Sequence, residues 1–452
     1  MPEDTSPLEM SPEEFRTLGH HLVDVIAEYL YSLATRKRTT ATRWTPEAIR
    51  ARLPQGGLPE GGADPKAIID EAAELVFDGY RRNGHPGYWG YIMGCPAPIG
   101  ILGEMLAAAA NANLASWHSA QVPNEIEAQS VRWLAEFLGY PTDCGGLLTS
   151  GGNMANFIGV LAARRAHAAP DMQARGLAGS NTALRLYTSR ETHTWVEKAA
   201  DLFGLGTDAI RWIDTDGAQR IDMTALEARI AADKAAGEQP FLVVGSAGTV
   251  STGAVDPLPE IAALCRRHGL WFHVDGAYGA PAAASALTPA ALKGLAQADS
   301  LAVDAHKWLC VPIEAGCALV RDRANLRATF AHHPPYYFYP DVGGDVVHYH
   351  EHGPQNSRAF RALKLWLTLR HVGRTAYVEM IAPSIWRARC TGSSMSPLSS
   401  RPRPRASASR PSVTCPPTST ARWTARRITL TTSTGRWSSA SRAASRSSSP
   451  MP

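Results

Sequence analysis

The chain has only seven cysteines among 452 residues, and no Cys-x-x-Cys pair. This excludes a disulfide-stapled secreted scaffold and predicts reduced thiols in a cytoplasmic protein. The N-terminus, Met-Pro-Glu-Asp-Thr-Ser, has no apolar h-region, so no secretory leader is expected. Long apolar runs are also missing. The Ala-rich stretch 101–115 is broken by Glu104, Asn111 and Asn113, and no membrane span is predicted. Residues 381–452 lack Asp, Glu and Lys altogether yet hold twelve Arg. The net charge of +4 therefore belongs to this tail. Without it, 33 basic residues face 41 acidic ones, and nucleic-acid binding by the fold is not expected.

What is present suits a large core. Apolar residues make up 44% of the chain, and the length allows two or three domain-sized units. Residues 11–34 are expected to be helical. Ser11 can cap, Pro12 fits the first position, and Glu14 completes a capping box. Phe15, Leu18, Leu22, Ile26, Tyr29 and Leu33 then share one face, which needs a partner surface. Residues 53–66, rich in Gly and Pro, read as a linker. A second amphipathic helix is predicted over 123–139. Further on, helix 223–236, strand 241–244, helix 258–267 and strand 269–274 form a β-α-β pattern. Its polar residues gather at the carboxyl ends of the strands, where doubly wound sheets hold ligands.

Two of these ends carry chemistry. Leu270-Trp271-Phe272-His273-Val274-Asp275-Gly276-Ala277-Tyr278 is an apolar strand ending in an acid. Asp299-Ser300-Leu301-Ala302-Val303-Asp304-Ala305-His306-Lys307-Trp308 then brings a lysine to the same crevice. A lone lysine is usually a solvated charge, and a lone Asp after a strand is usually a cap. Together they fit a pyridoxal phosphate (PLP) site. Lys307 would form the Schiff base, and Asp275 would keep the pyridine nitrogen protonated so that the ring accepts electrons. Gly276 and Ala277 leave room for a flat ring. Thr149-Ser150-Gly151-Gly152-Asn153 opens a predicted helix, and a Gly-rich helix start suits a phosphate, although most such turns bind nothing.

On these residues the chain resembles the group II PLP-dependent amino acid decarboxylases, the family of aromatic-amino-acid, histidine and glutamate decarboxylases, over residues 11–380. The resemblance implies an α/β domain of PLP fold type I (aspartate-aminotransferase-like), with a mostly parallel seven-stranded sheet between helices. It implies a homodimer in which the N-terminal segment, residues 1–85, packs across the interface. The large domain would span 86–380. Ser150, Gly151, Gly152 and Asn153 would hold the cofactor phosphate, with Ser300 and Asp304 nearby. An acid at 304 is unfavourable beside a phosphate unless it is otherwise paired. His193 would stack on the pyridine ring, opposite Ala277. Thr249 would lie beside the cofactor, and His306 would contact the phosphate or simply pack. A tyrosine of the 336–339 loop, Tyr337 or its neighbour Tyr336, would protonate the substrate carbon after CO2 leaves. The aromatic stretch His85-Pro86-Gly87-Tyr88-Trp89-Gly90-Tyr91 would line the substrate mouth or pack in the core. Arg361, within Gln355–Trp366, would be a structural or carboxylate-side charge. The histidines at 348, 350 and 352 mimic a metal motif, but alternate residues need not converge, and no metal is predicted.

The resemblance stops near Ile381. Residues 381–452 read as a low-complexity Arg/Ser/Pro tail that cannot build a core, where relatives continue into a small C-terminal domain. GC-rich DNA read out of frame gives this composition, and a genuine basic tail is the rival reading. The expected activity is decarboxylation of an L-amino acid to the amine, with the aromatic mouth leaning toward aromatic substrates. Transamination, aldehyde synthesis or a catalytically defective chain are the alternatives.

Overall fold

The computed structural model describes residues 6, 8–88, 90–167, 172–177, 183–337 and 345–391. Trp89, Phe338, Tyr339 and the tail beyond 391 lie outside these residues.

Seven strands form one sheet: β1 Gly145–Thr149, β2 Leu184–Ser189, β3 Ile210–Ile213, β4 Gln239–Ser246, β5 Trp271–Asp275, β6 Ser300–Asp304 and β7 Gly316–Val320. Their order is β1-β7-β6-β5-β4-β2-β3. β7 runs antiparallel to both its neighbours, and every other pairing is parallel. Strand residues alternate between two cores, as the pleat demands. Leu148, Val243, Leu301 and Leu319 face the helices Gln121–Leu138 and Leu258–His268. Leu147, Val244, Ala302 and Ala318 face the helices Gly152–His167 and Trp195–Leu202. Burial on both faces explains why the strands read as continuous apolar runs.

The N-terminal helix, Pro12–Ala34, forms as its caps predict: Ser11 and Glu14 complete both arms of the capping box. Its C-terminal half packs on the helix Pro65–Asp78, with Tyr29 stacked on Phe77 at 3.9 Å. Tyr29 and Leu33 are buried, whereas Phe15 stays 59% exposed. The predicted linker forms bends that end at Asp64, which caps that second helix.

The boundary predicted at 381 falls inside a helical segment, Arg361–Thr391, bent at Gly373. Tyr377, Ile381 and Ile385 recur every fourth residue and are buried against the core. The tail's average composition hid this last apolar stripe.

One buried ion pair braces the site from behind. Arg358 donates to Glu127 and, at 2.8 Å, to the Leu148 carbonyl, while Glu127 Oε1 accepts the Leu148 N–H at 2.8 Å. Both side chains are essentially sealed from solvent. The pair therefore clamps β1 just before the Gly-rich turn. Arg361, the arginine singled out in the sequence, instead pairs with the partly exposed Glu314 at 2.7 Å. Glu127→Ala strands a buried guanidinium and should cost about 3–5 kcal/mol, read as a lower urea midpoint at unchanged slope.

Candidate active site

Four strand ends meet on one side of the sheet. Asp275 ends β5 level with Ser246 of β4. Asp304 ends β6 and Thr149 ends β1, and both pair with Gly316 of β7. This brings together segments far apart in the chain.

The Gly-rich turn depends on missing side chains. Gly151 has φ +131°, which L residues rarely adopt. A Cβ on Gly316 would lie 2.4 Å from the Gly151 carbonyl carbon. A Cβ on Gly152 would meet Asp304 Oδ2 at 2.6 Å and Ala277 Cβ at 2.9 Å. Turn, acid and Ala277 thus form one wall. Gly152 starts the helix, whose first N–H groups have no intrahelical acceptor. Ser150 and Asn153 are exposed on the turn.

Lys307 lies three residues past β6, in a turn closed by its N–H to the Asp304 carbonyl at 3.1 Å. Its Nζ sits 3.1 Å from Asp304 Oδ2. The acid at 304 thus has the lysine amine as its cationic partner. Beside it, His306 Nδ1 accepts the Ala315 N–H at 3.3 Å. Burial pushes this imidazole below its usual range, so the ring is neutral with its proton on Nε2, 3.7 Å from Asp304 Oδ2.

Asp275 is oriented by two donors. The Trp195 indole N–H reaches Oδ2 at 2.7 Å, and the Ala277 N–H reaches Oδ1 at 3.1 Å. Trp195 in turn directs its backbone N–H to His193 Nδ1 at 3.2 Å. His193 is exposed, and Trp195 is 1% exposed. Trp195 had no role in the sequence reading. The available signal was an indole just past a strand end, which needs an acceptor once buried. Thr249 is buried and closes its own loop, bonding Thr252 Oγ1 at 2.8 Å and accepting the Ala254 N–H at 3.2 Å.

Two expected site residues are held elsewhere. Ser300 begins β6, paired with His273 at the far end from Asp304. Its hydroxyl accepts the Trp271 indole N–H at 2.8 Å and donates to His273 Nδ1 at 2.7 Å. His273 Nε2–H then reaches Asn156 Oδ1 at 2.7 Å. At 1% exposure, Ser300 ties the start of helix Gly152–His167 to the sheet instead of facing the crevice. Tyr337 stacks edge-on to His350 at 5.1 Å and lines a cleft with His332, Tyr336 and Asn356, apart from Lys307 and Asp275. Among the described residues, no three His, Cys, Asp or Glu side chains gather as a metal site.

Buried titratable groups set an acid limit. Burial holds His273 and His352 at about 4, well below the free value. The unfolded chain therefore takes up these protons first, and stability present above about pH 6.5 is lost as pH falls toward 4, by up to about 3 kcal/mol each. Asp256 opposes this. Burial raises it to about 6, so its share of stability is present below its unfolded value and lost as pH rises through 6. Two protons against one leaves a net loss. Urea midpoints should fall from pH 6.5 to 4.5, and His273→Gln should flatten that slope.

The wall accommodates a flat, phosphate-bearing group. Its glycines leave space, its helix start favours an anion, and an oriented carboxylate and a lysine stand on adjacent strand ends. Residues 46–396 match the family described as the pyridoxal-dependent decarboxylase conserved domain. The chain is 34% identical over 383 residues to an aromatic-L-amino-acid decarboxylase of Bacillus atrophaeus, covering 84% of this chain and 77% of that one. The crystal structure of mouse CSAD superimposes with a TM-score of 0.77 at 27% identity, covering 84% and 78% of the two chains. That of Rhodiola rosea 4-hydroxyphenylacetaldehyde synthase does so with a TM-score of 0.74 at 28% identity, covering 84% and 79%. A sheet of this order, with a lysine and an acid at neighbouring strand ends and a family match over most of the chain, makes this polypeptide a PLP-dependent amino acid decarboxylase of the pyridoxal-dependent decarboxylase family.

Proposed function

We propose that Lys307 attaches the cofactor and that the substrate is an aromatic L-amino acid, released as its amine. The observation that carries the attachment is the position of Lys307 three residues beyond β6, against the same wall as Gly152, Ala277 and Asp304. Bound PLP supplies the sink for the electrons left when the Cα–carboxylate bond breaks. Asp275, held by Trp195 and Ala277, keeps a proton at the pyridine nitrogen. His193 and Ala277 are the residues for the two faces of the ring. Ser150, Gly151, Gly152 and Asn153 receive the phosphate. Tyr337, acting within its own chain or across the dimer, or Lys307 returns a proton to Cα. The preference for aromatic substrates is supported by the Bacillus atrophaeus relative.

The chain acts as a cytoplasmic homodimer in this reading. Exposed Phe15, Leu102, Met105 and Leu106 supply apolar surface for the contact. Among the described residues, no helix is long and apolar enough to cross a membrane.

Product analysis over a panel of aromatic and acidic amino acids is the test. Amine plus one CO2 supports the reading. Aldehyde without amine favours the chemistry named for the Rhodiola neighbour. A folded, PLP-loaded chain with no turnover marks a non-catalytic subunit.

A further inference from the structure

The carboxylate of Asp304 is sealed beneath the start of helix Gly152–His167. It is 3% exposed, and Gly152 has no space for a Cβ because Oδ2 would lie 2.6 Å away. Oδ2 faces Lys307 Nζ at 3.1 Å, while Oδ1 is buried without a hydrogen-bond partner. One fixed negative charge therefore stands where the helix start and Gly-rich turn would receive a second. Like charges at such range oppose each other strongly when partly shielded from water. The facing imidazole of His306 is neutral and offers little compensation. Lys307 balances Asp304 only while its amine stays at that carboxylate.

We propose that Asp304 limits the affinity for the cofactor phosphate: it holds the Lys307 amine in the cofactor-free chain and opposes the phosphate that arrives at Ser150–Asn153. This inference rests on the reading of Lys307 and the Gly-rich turn given above. The consequence is a cofactor held weakly through its phosphate and exchanging with solution.

Pyridoxal, which has the same ring and aldehyde without the phosphate, isolates the effect. The cofactor-free wild-type chain should bind PLP less than about tenfold more tightly than pyridoxal, measured by absorbance and tryptophan-fluorescence titration. A preference above about a thousandfold would overturn the proposal without any variant. Asp304→Asn and Asp304→Ala, checked for folding by circular dichroism and urea midpoint, should each bind PLP at least tenfold more tightly. Their pyridoxal affinity should change little, and inorganic phosphate should compete at lower concentration. If only the Asn variant tightens, its amide is acting as a new donor, and opposition by charge is wrong. Equal gains for PLP and pyridoxal would mean that Asp304 acts through Lys307 alone, which also overturns it. Borohydride trapping with peptide mapping separates the two levels. An adduct away from Lys307 sinks the underlying reading, whereas an adduct on Lys307 with unchanged affinities sinks only the role of Asp304.

Discussion

Lys307→Ala should lower decarboxylation by at least about 10⁴-fold, since on the proposed reading it removes both the attachment point and a proton carrier beside Cα. Borohydride treatment of the wild-type chain with PLP should leave a stable adduct on the peptide containing Lys307, and the variant should show none. The fold should survive. The lysine side chain is 22% exposed and pairs with Asp304, so truncation opens no large cavity. Asp304 then loses its counter-charge, and a modest drop in the urea midpoint is expected. An Ala variant with native turnover, or with the same adduct on another lysine, would remove Lys307 from the mechanism.

Asp275→Asn is the second large effect, expected to cut kcat by about 10²–10³. Asn keeps an oxygen for the Trp195 indole but gives up the acceptor of the Ala277 N–H, and it lacks the charge proposed to hold a proton on the ring nitrogen. The loss should fall on kcat with little change in folding. Asp275→Ala should lose similar activity and also destabilise the chain by about 1–3 kcal/mol, because the buried indole N–H is left without an acceptor. The two variants thus separate charge from scaffolding. Equal kcat in Asn and wild type would show that the carboxylate is not the ring-nitrogen partner.

Much of this molecule can be read from local sequence. Ser11, Pro12 and Glu14 are a complete helix start, and the run ending at Asp275 is a buried strand with an acid at its exit. The Gly-rich turn is likewise local. What could not be read depends on register or on distant partners. Ser300 and Asp304 lie on one strand four residues apart, so periodicity gives them the same face. Only pairing with β5 and β7 shows that one is buried at the far end of the strand and the other at the end that carries Lys307. Glu127 and Arg358 are 231 residues apart, and nothing local marks them as a pair. Arg361 drew attention because it stands in the same stretch as Arg358. The helical segment running to Thr391 is hard to read because Ile381 and Ile385 are a thin apolar stripe in an otherwise core-poor composition.

The antiparallel strand between β1 and β6 has a kinetic consequence. β1 sits at the sheet edge and pairs with β7, 167 to 175 residues later in the chain. At roughly 5–20 residues per second, a ribosome leaves β1 unpaired for about 10–30 s after it emerges. Its clamp, Arg358, arrives later still. β2 through β6 can assemble meanwhile, so the edge bearing the Gly-rich turn closes last. During synthesis the chain exposes an apolar strand edge, and only on its closure does the wall of Gly151, Gly152, Ala277 and Asp304 come into being.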